Sequence, residues 1–206
     1  MTETDLLALA VPLVRQGMLF VHLIVFAFAF VLVIQADLAM IRGGYSAGQR
    51  DLHRDARMTA WLLLALWGSG LVLVGLGSGF GMQALAGNPK VAAKLTVVTV
   101  LTLNGLLLHV FAFPRMAGMV PLSRAGITLC VVLGAVSSVS WVASAAIGTA
   151  RIVAPLLRYH DYLVLYGLGL GIGLTVALTV VRPLLVRQWG QRVLRGHRDA
   201  VCPQGG

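Results

Sequence analysis

The sequence predicts an all-α integral membrane protein, a bundle of five transmembrane helices. Of its 206 residues, 58% are hydrophobic and 11% are charged, whereas about 25% of the residues of an ordinary soluble domain are charged. Five apolar runs each reach the roughly 20 residues of helix that a hydrocarbon core about 30 Å thick requires. The segments between these runs are short, so we expect no soluble domain between the helices.

The five runs set the predicted domain organisation. They are Gly17–Ile41, Met58–Phe80, Val91–Phe113, Gly126–Gly148 and Tyr162–Val181. Residues 1–16 are predicted to form a separate interfacial segment, because the apolar stretch Asp5–Val14 is short and contains Pro12. The five-helix domain covers residues 17–186, and a basic tail covers residues 187–206.

The excess of basic residues predicts the orientation in the membrane. The chain has 16 Lys and Arg against 7 Asp and Glu, and these bases lie in short segments between the apolar runs. Cationic loops are retained on the cytoplasmic side, so this charge indicates topology rather than nucleic-acid binding. The cytoplasmic set is Arg42, Arg50, Arg54, Arg57, Arg115, Arg124, Arg182, Arg187, Arg192, Arg195 and Arg198, and the smaller outer set is Arg15, Lys90, Lys94, Arg151 and Arg158. We expect an outside N-terminus, a cytoplasmic C-terminus and a location in the bacterial cytoplasmic (inner) membrane.

Ionisable side chains inside the predicted spans are few and lie on helices one and three. Helix one carries His22 and Asp37, and helix three carries Lys94 and His109 with Asn104 between them. At 1.5 Å per residue, His22 and Lys94 lie roughly 8 and 5 Å from the outer surface, and Asp37 and His109 roughly 30 and 27 Å. Such groups are costly in lipid and usually face a protein interior. We therefore expect any intramembrane chemistry between these two helices.

The first predicted site, near the outer surface, combines His22, Lys94 and His160 from the RYHDY segment. A neutral imidazole is a good axial ligand for haem iron, so His22 is the predicted ligand of a b-type haem and His160 a candidate second ligand. Lys94 can pair with a haem propionate. Alternatively, Lys94 is close enough to a helix end to extend its ammonium group to the interface.

The second predicted site lies near the inner surface and consists of Asp37, His109 and Asn104, with Arg42 or Arg182 as candidate additional members. It is interpreted as a site for protons or a quinone. The alternative is a structural Asp37–His109 pair, with Asn104 joining helices through hydrogen bonds.

Small residues crowd helices two, four and five, which read GSGLVLVGLGSGFG, SSVSWVASAA and YGLGLGIGL. Such faces allow close helix packing, including packing between copies of a homo-oligomer, and they can also leave a flat slot for a planar cofactor. The two cysteines, Cys130 and Cys202, form neither a CxxC pair nor a disulfide framework.

Helices one to three resemble a known family. A histidine early in helix one, a small-residue helix two and a third helix opening AKLTVVTVLTLNGLLLH resemble the HemJ-type protoporphyrinogen oxidases and the CopD-like copper-resistance domains. The resemblance covers about residues 17–113. It implies that His22, and Lys94 in the motif Ala93-Lys94-Leu95, are the functional residues, and it implies haem b with electron transfer toward the respiratory chain.

These observations lead to a principal hypothesis and two alternatives. The principal hypothesis is a haem-b membrane protein active in electron transfer or membrane redox chemistry, with a quinone or a redox protein as its partner; whether it is an oxidoreductase stays open. One alternative is a small transporter or channel whose polar residues line a proton or ion path. The other is a structural or assembly subunit of a larger membrane complex.

Overall fold

All regular structure in the described residues is helical. The computed structural model describes residues 3–41, 49–78, 87–116, 123–150 and 152–189, and no strand occurs among them. Five helices in these ranges are long and apolar enough to cross a membrane, namely Ala10–Ile41, Arg54–Gly77, Pro89–Arg115, Arg124–Thr149 and Tyr159–Trp189. The predicted five-helix membrane bundle is thereby confirmed. Its orientation stays a prediction.

The first helix, α1, differs from its prediction at the N-terminal end. It runs without interruption from Glu3 to Ile41, a length of 39 residues with Pro12 inside it, or about 58 Å. Most of the predicted separate segment of residues 1–16 is therefore continuous with the first span. Pro12 lies inside this helix, where it removes one backbone hydrogen bond and its ring crowds the preceding turn, yet the helix continues through it.

The next two helices are α2, Gln49–Ser78, and α3, which begins with Pro89–Leu107. The side chain of Asn88 caps α3 by accepting a hydrogen bond from the Val91 N–H at 3.3 Å, and proline is well suited to the first helical position. A π-helical turn, Leu108–Ala112, and a last turn, Phe113–Met116, continue α3.

The last two transmembrane helices also begin with side-chain caps. Helix α4 is Arg124–Thr149, and Ser123 caps it by accepting a hydrogen bond from the Gly126 N–H at 3.0 Å. After a short 3₁₀ turn, Ala154–Leu156, the helix α5 begins at Tyr159. The Asp161 carboxylate accepts from the Arg158 N–H at 2.7 Å. A π-helical turn, Ala177–Val181, interrupts α5 before it ends at Trp189.

The helices pack in two groups. α1 and α2 form an extensive pair, and α4 packs against both α3 and α5. Contacts between α1–α2 and the other three helices are less extensive. α4 is the most buried of the five spans, so it forms the centre of the bundle. A seam therefore runs between the α1–α2 pair and the α3–α4–α5 group.

The middle of this seam is filled by apolar side chains, which we call the central apolar cluster. It contains Ala29, Leu66, Leu101 and Trp141, with Phe26 and other partly buried residues packed on them. The rings of Phe26 and Trp141 are 5.5 Å apart. The cluster draws on α1, α2, α3 and α4, so it joins the two groups at mid-depth and leaves the polar residues on either side of it separated.

Candidate functional site

The half of the seam on the predicted outer side is organised around His22 on α1. His22 is partly buried, and its Nδ1 lies 2.7 Å from the Ser69 hydroxyl on α2. Ser69 is buried and donates its one hydroxyl proton to the carbonyl of Ala65 at 2.7 Å. The contact between Nδ1 and Oγ is compatible with either tautomer of His22. When Ser69 keeps its proton on the Ala65 carbonyl, Ser69 Oγ accepts from His22 Nδ1–H, and Nε2 then carries a free lone pair.

A glycine allows this ring to lie close to the backbone of α2. A Cβ atom placed on Gly70 would stand 3.5 Å from His22 Cε1. At that distance the Cβ would be in ordinary van der Waals contact with the ring, so a side chain larger than alanine at position 70 would compete with the imidazole for space. Ser69 and Gly70 thus provide a hydrogen-bond partner for the ring and a wall without a side chain beside it.

Lys94 on α3 reaches the same region from the opposite side of the seam. It is partly buried, and its Nζ lies 3.5 Å from the position that a Cβ on Gly148 of α4 would occupy. Lys94 lies within electrostatic range of His22. Among the described residues, Lys94 makes no hydrogen bond or ion pair. Its ammonium group is therefore available to an anionic ligand.

The neighbouring Lys90 has a different role. Its ammonium group donates to the carbonyls of Gly148 at 3.3 Å and Ala150 at 3.1 Å. These carbonyls belong to the C-terminal end of α4, where the helix dipole favours a cation. Lys90 thus caps the C-terminal end of α4, and Lys94 makes neither of these hydrogen bonds.

The residues of this region share one level of the bundle, and we call this level of the seam the outer cleft. His22 lies four residues before Phe26, Ser69 three after Leu66, Lys94 seven before Leu101 and Gly148 seven after Trp141. Spacings of three, four and seven keep residues on the same face of a helix. The outer cleft is therefore lined by His22, Ser69, Gly70, Lys94 and Gly148, and the central apolar cluster forms its floor.

The structure does not bring His160 to His22. His160 is exposed at the start of α5, and its ring contacts that of Tyr159 at 5.7 Å. The Tyr159 hydroxyl in turn lies 3.0 Å from Thr96 Oγ1. His160 therefore stands outside the outer cleft, where no described contact positions it as a second axial ligand.

The three residues of the predicted inner site have separate environments. Asp37 accepts a hydrogen bond from the Ser138 hydroxyl on α4. Asn104 is buried and donates to the carbonyl of Leu133 at 2.9 Å, as expected of a residue that joins two helices. His109 is exposed and contacts only its own helix, with Nδ1 3.4 Å from the Gly105 carbonyl and its ring 4.9 Å from that of Phe113. Asp37 and His109 form neither a hydrogen bond nor an ion pair with each other.

Asp37 also lies deeper in the bundle than its sequence position predicts. Its contacts on α4, Gly134 and Ser138, are ten and fourteen residues after Arg124, in the central part of a 26-residue helix. The reason is that α4 begins beyond the end of α1, since Met40 packs at the level of Ile127 and Val131. Measuring depth along α1 alone therefore placed Asp37 too near the surface.

Of the two arginines proposed for the inner site, Arg182 is among the described residues and Arg42 is not. Arg182 donates from Nε to Thr128 Oγ1 at 2.7 Å and forms no ion pair with Asp37. Arg42 lies outside the described residues. Asp37 thus has no cationic partner within the described ranges.

Sequence reasoning found His22, Lys94 and Asp37 but missed their partners. Ser69, Gly70 and Ser138 were read only as small residues that allow close helix packing or a flat slot, and Gly148 only as the last residue of a predicted span. A serine inside an apolar helix is the signal that could have indicated Ser69 and Ser138, although it does not say which helix they face.

No family model, curated protein or solved structure matches the chain. The function of the outer cleft is therefore inferred from its own residues and geometry.

Proposed function

We propose that the protein binds a b-type haem in the outer cleft, that His22 would hold this haem through Nε2, and that the protein serves electron transfer in the membrane. The observation that carries this proposal is the 2.7 Å hydrogen bond between His22 Nδ1 and Ser69 Oγ, in which Ser69 can act as the acceptor. Histidines that bind metals commonly donate their other ring N–H to a fixed acceptor, which sets the tautomer and the ring orientation. A bound haem would supply reversible one-electron chemistry at this position.

The donor set of the cleft fits a haem rather than a bare metal ion. Within the part of the chain that the structure describes, no three His, Cys, Asp or Glu side chains form a metal-ligand group. An iron held by His22 therefore needs donors from a macrocycle. Gly70 and Gly148 present walls without side chains, and Phe26 and Trp141 give an apolar floor. A flat, apolar molecule with acidic groups matches these surfaces.

Lys94 is the proposed binding partner for the acidic groups of this ligand. A partly buried ammonium group without a described protein partner is costly inside a bilayer, and a propionate would neutralise it. In this arrangement Ser69 holds the ligand imidazole, Lys94 binds the carboxylate, and the central apolar cluster excludes water from the inner side of the cleft. A quinone or a redox protein is the proposed electron partner.

An absorption spectrum of the purified protein, first oxidised and then reduced with dithionite, tests the proposal. Protein from haem-replete cells is expected to show a Soret band with reduced α and β bands. His22→Ala should lose the spectrum, whereas the exposed histidines in His109→Ala and His160→Ala should leave it intact. Ser69→Ala keeps the ligand but frees the ring, so about 10- to 100-fold weaker haem retention is expected.

A flat visible spectrum from haem-replete cells would contradict the proposal. So would a spectrum that persists in His22→Ala at the intensity seen in His109→Ala. Either result would favour the transporter or the assembly-subunit hypothesis.

A further inference from the structure

We propose that Asp37 and Ser138 form a proton-binding site inside the bundle, which exchanges its proton through the membrane face where α1 ends. This inference does not depend on haem binding, because the central apolar cluster separates Asp37 from the outer cleft. Its ligand is a single proton, and its position is between α1 and α4.

The hydrogen bonds of Ser138 allow two states of this site. Its hydroxyl has one proton and two acceptors within reach, the Asp37 carboxylate and the Gly134 carbonyl at 3.0 Å. When Asp37 is ionised, Ser138 donates to the carboxylate. When Asp37 carries a proton, Asp37 donates to Ser138 Oγ, and Ser138 turns its own proton to the Gly134 carbonyl. Both states are satisfied by rotation of one hydroxyl, with no movement of heavy atoms.

No charged side chain competes for Asp37 in the described ranges. On α2, Arg54 and Arg57 are exposed and Asp55 is partly buried, and none of them pairs with Asp37. On α5, Arg182 is bonded to Thr128, and on α3, Arg115 donates to the Phe111 carbonyl. The charged residue at the start of α4, Arg124, is ten residues from Gly134. Because an intramembrane carboxylate without a cation is costly, proton uptake is the chemistry that suits this position.

The route for the proton follows from the end of α1. Asp37 is partly rather than fully buried. Helix α1 ends four residues later, at Ile41. At that end the Gln188 side chain donates to the Ile41 carbonyl at 3.0 Å, so a polar contact lies about one helical turn from Asp37, on the way to the membrane surface.

Labelling with dicyclohexylcarbodiimide, an apolar reagent that attacks protonated carboxyl groups, tests this proposal on the intact protein in detergent. Mass spectrometry of the labelled peptides is expected to find label on Asp37, decreasing about tenfold per pH unit above the midpoint of its titration. Asp161, exposed at the start of α5, is the internal comparison and should react with a water-soluble carbodiimide instead. Asp37→Asn should lose the label.

Variants of Ser138 and of the neighbouring Ser137 test the role of the Ser138 hydroxyl. Ser138→Ala should shift the pH at which labelling is half complete, and Ser138→Thr, which keeps the hydroxyl, should restore it. Ser137→Ala removes a buried hydroxyl from the neighbouring position and should have no effect. Absence of label on Asp37 at every pH, labelling independent of pH, or an unchanged midpoint in Ser138→Ala would overturn the proposal. Protection by sodium at constant pH would also overturn it, by indicating a metal cation in place of the proton.

Discussion

Two serines form hydrogen bonds with the ionisable residues of α1. Ser69 on α2 and Ser138 on α4 each contact the carbonyl four residues earlier in their own helix, and each also contacts a titratable side chain of α1. In each case the hydroxyl can donate either to the helix carbonyl or to the titratable side chain. The same local arrangement therefore provides a hydrogen-bond partner for the imidazole of His22 and for the carboxyl group of Asp37.

Two tyrosines on α5 give a matched prediction at the same scale. Tyr166 is hydrogen-bonded to Ser140 at 2.7 Å, whereas the buried hydroxyls of Tyr162 and Ser144 have no hydrogen-bond partner among the described residues. Tyr166→Phe should lower the free energy of unfolding by about 1 kcal/mol because it breaks a hydrogen bond. Tyr162→Phe should raise it by a similar amount because it removes an unsatisfied hydroxyl.

Reversible unfolding of both variants in one detergent would measure these changes. A loss of stability in Tyr162→Phe as large as that in Tyr166→Phe would contradict this assignment of the two hydroxyls.

At the scale of elements, the glycines of α5 divide into two faces. Gly169 and Gly173 face Val139 of α4, and a Cβ on Gly173 would stand only 2.5 Å from Val139 Cγ2. Gly167 and Gly171 have nothing within 4 Å of the equivalent position. The glycine pattern of the sequence therefore serves close α4–α5 packing on one face only, and the structure decides which face.

The two glycine faces predict different effects on stability for two alanine substitutions. Gly173→Ala should lower the free energy of unfolding by about 1–3 kcal/mol, as overpacking does, and Val139→Ala should restore part of the loss. Gly171→Ala should leave the monomer's stability unchanged. Unfolding measurements on the three variants would check this, and equal effects at positions 171 and 173 would show that the packing differs from that described.

The two lysines of α3 provide the second prediction at this scale. Lys90→Met should destabilise the protein by about 0.3–1 kcal/mol, since it removes a cation from the C-terminal end of α4. Lys94→Met should keep the stability and instead weaken haem retention. Unfolding and haem titration of both variants would distinguish these effects, and a haem defect confined to Lys90→Met would reverse the roles assigned here.

At the scale of the whole molecule, the two packing groups place polar residues at two separate levels. The outer cleft lies on one side of the central apolar cluster, and the Asp37–Ser138 site lies on the other. An apolar layer between polar sites is what allows different chemistry at the two membrane faces. The orientation of the bundle then decides which site meets which compartment.

The basic residues predict this orientation, and thiol labelling tests it. Cys202 lies in the basic tail and should react with a membrane-impermeant maleimide only after the cells are permeabilised. Ile152, 91% exposed between α4 and α5, should react from outside when changed to cysteine. Cys130 is buried and should stay unlabelled in both conditions. Labelling of Cys202 in intact cells would invert the topology.

The sequence by itself determined the number, the approximate limits and the membrane character of the five helices, because length and hydropathy are local properties that lipid selects directly. It also identified His22, Lys94 and Asp37, since an ionisable group in an apolar run is conspicuous. Only the tertiary structure decided which of them meet. Depth along one helix could not show that α4 extends past α1, that His109 faces outward, or that Ser138 contacts Asp37. These facts depend on how helices stagger and rotate against each other, which is set by packing contacts between residues far apart in the chain.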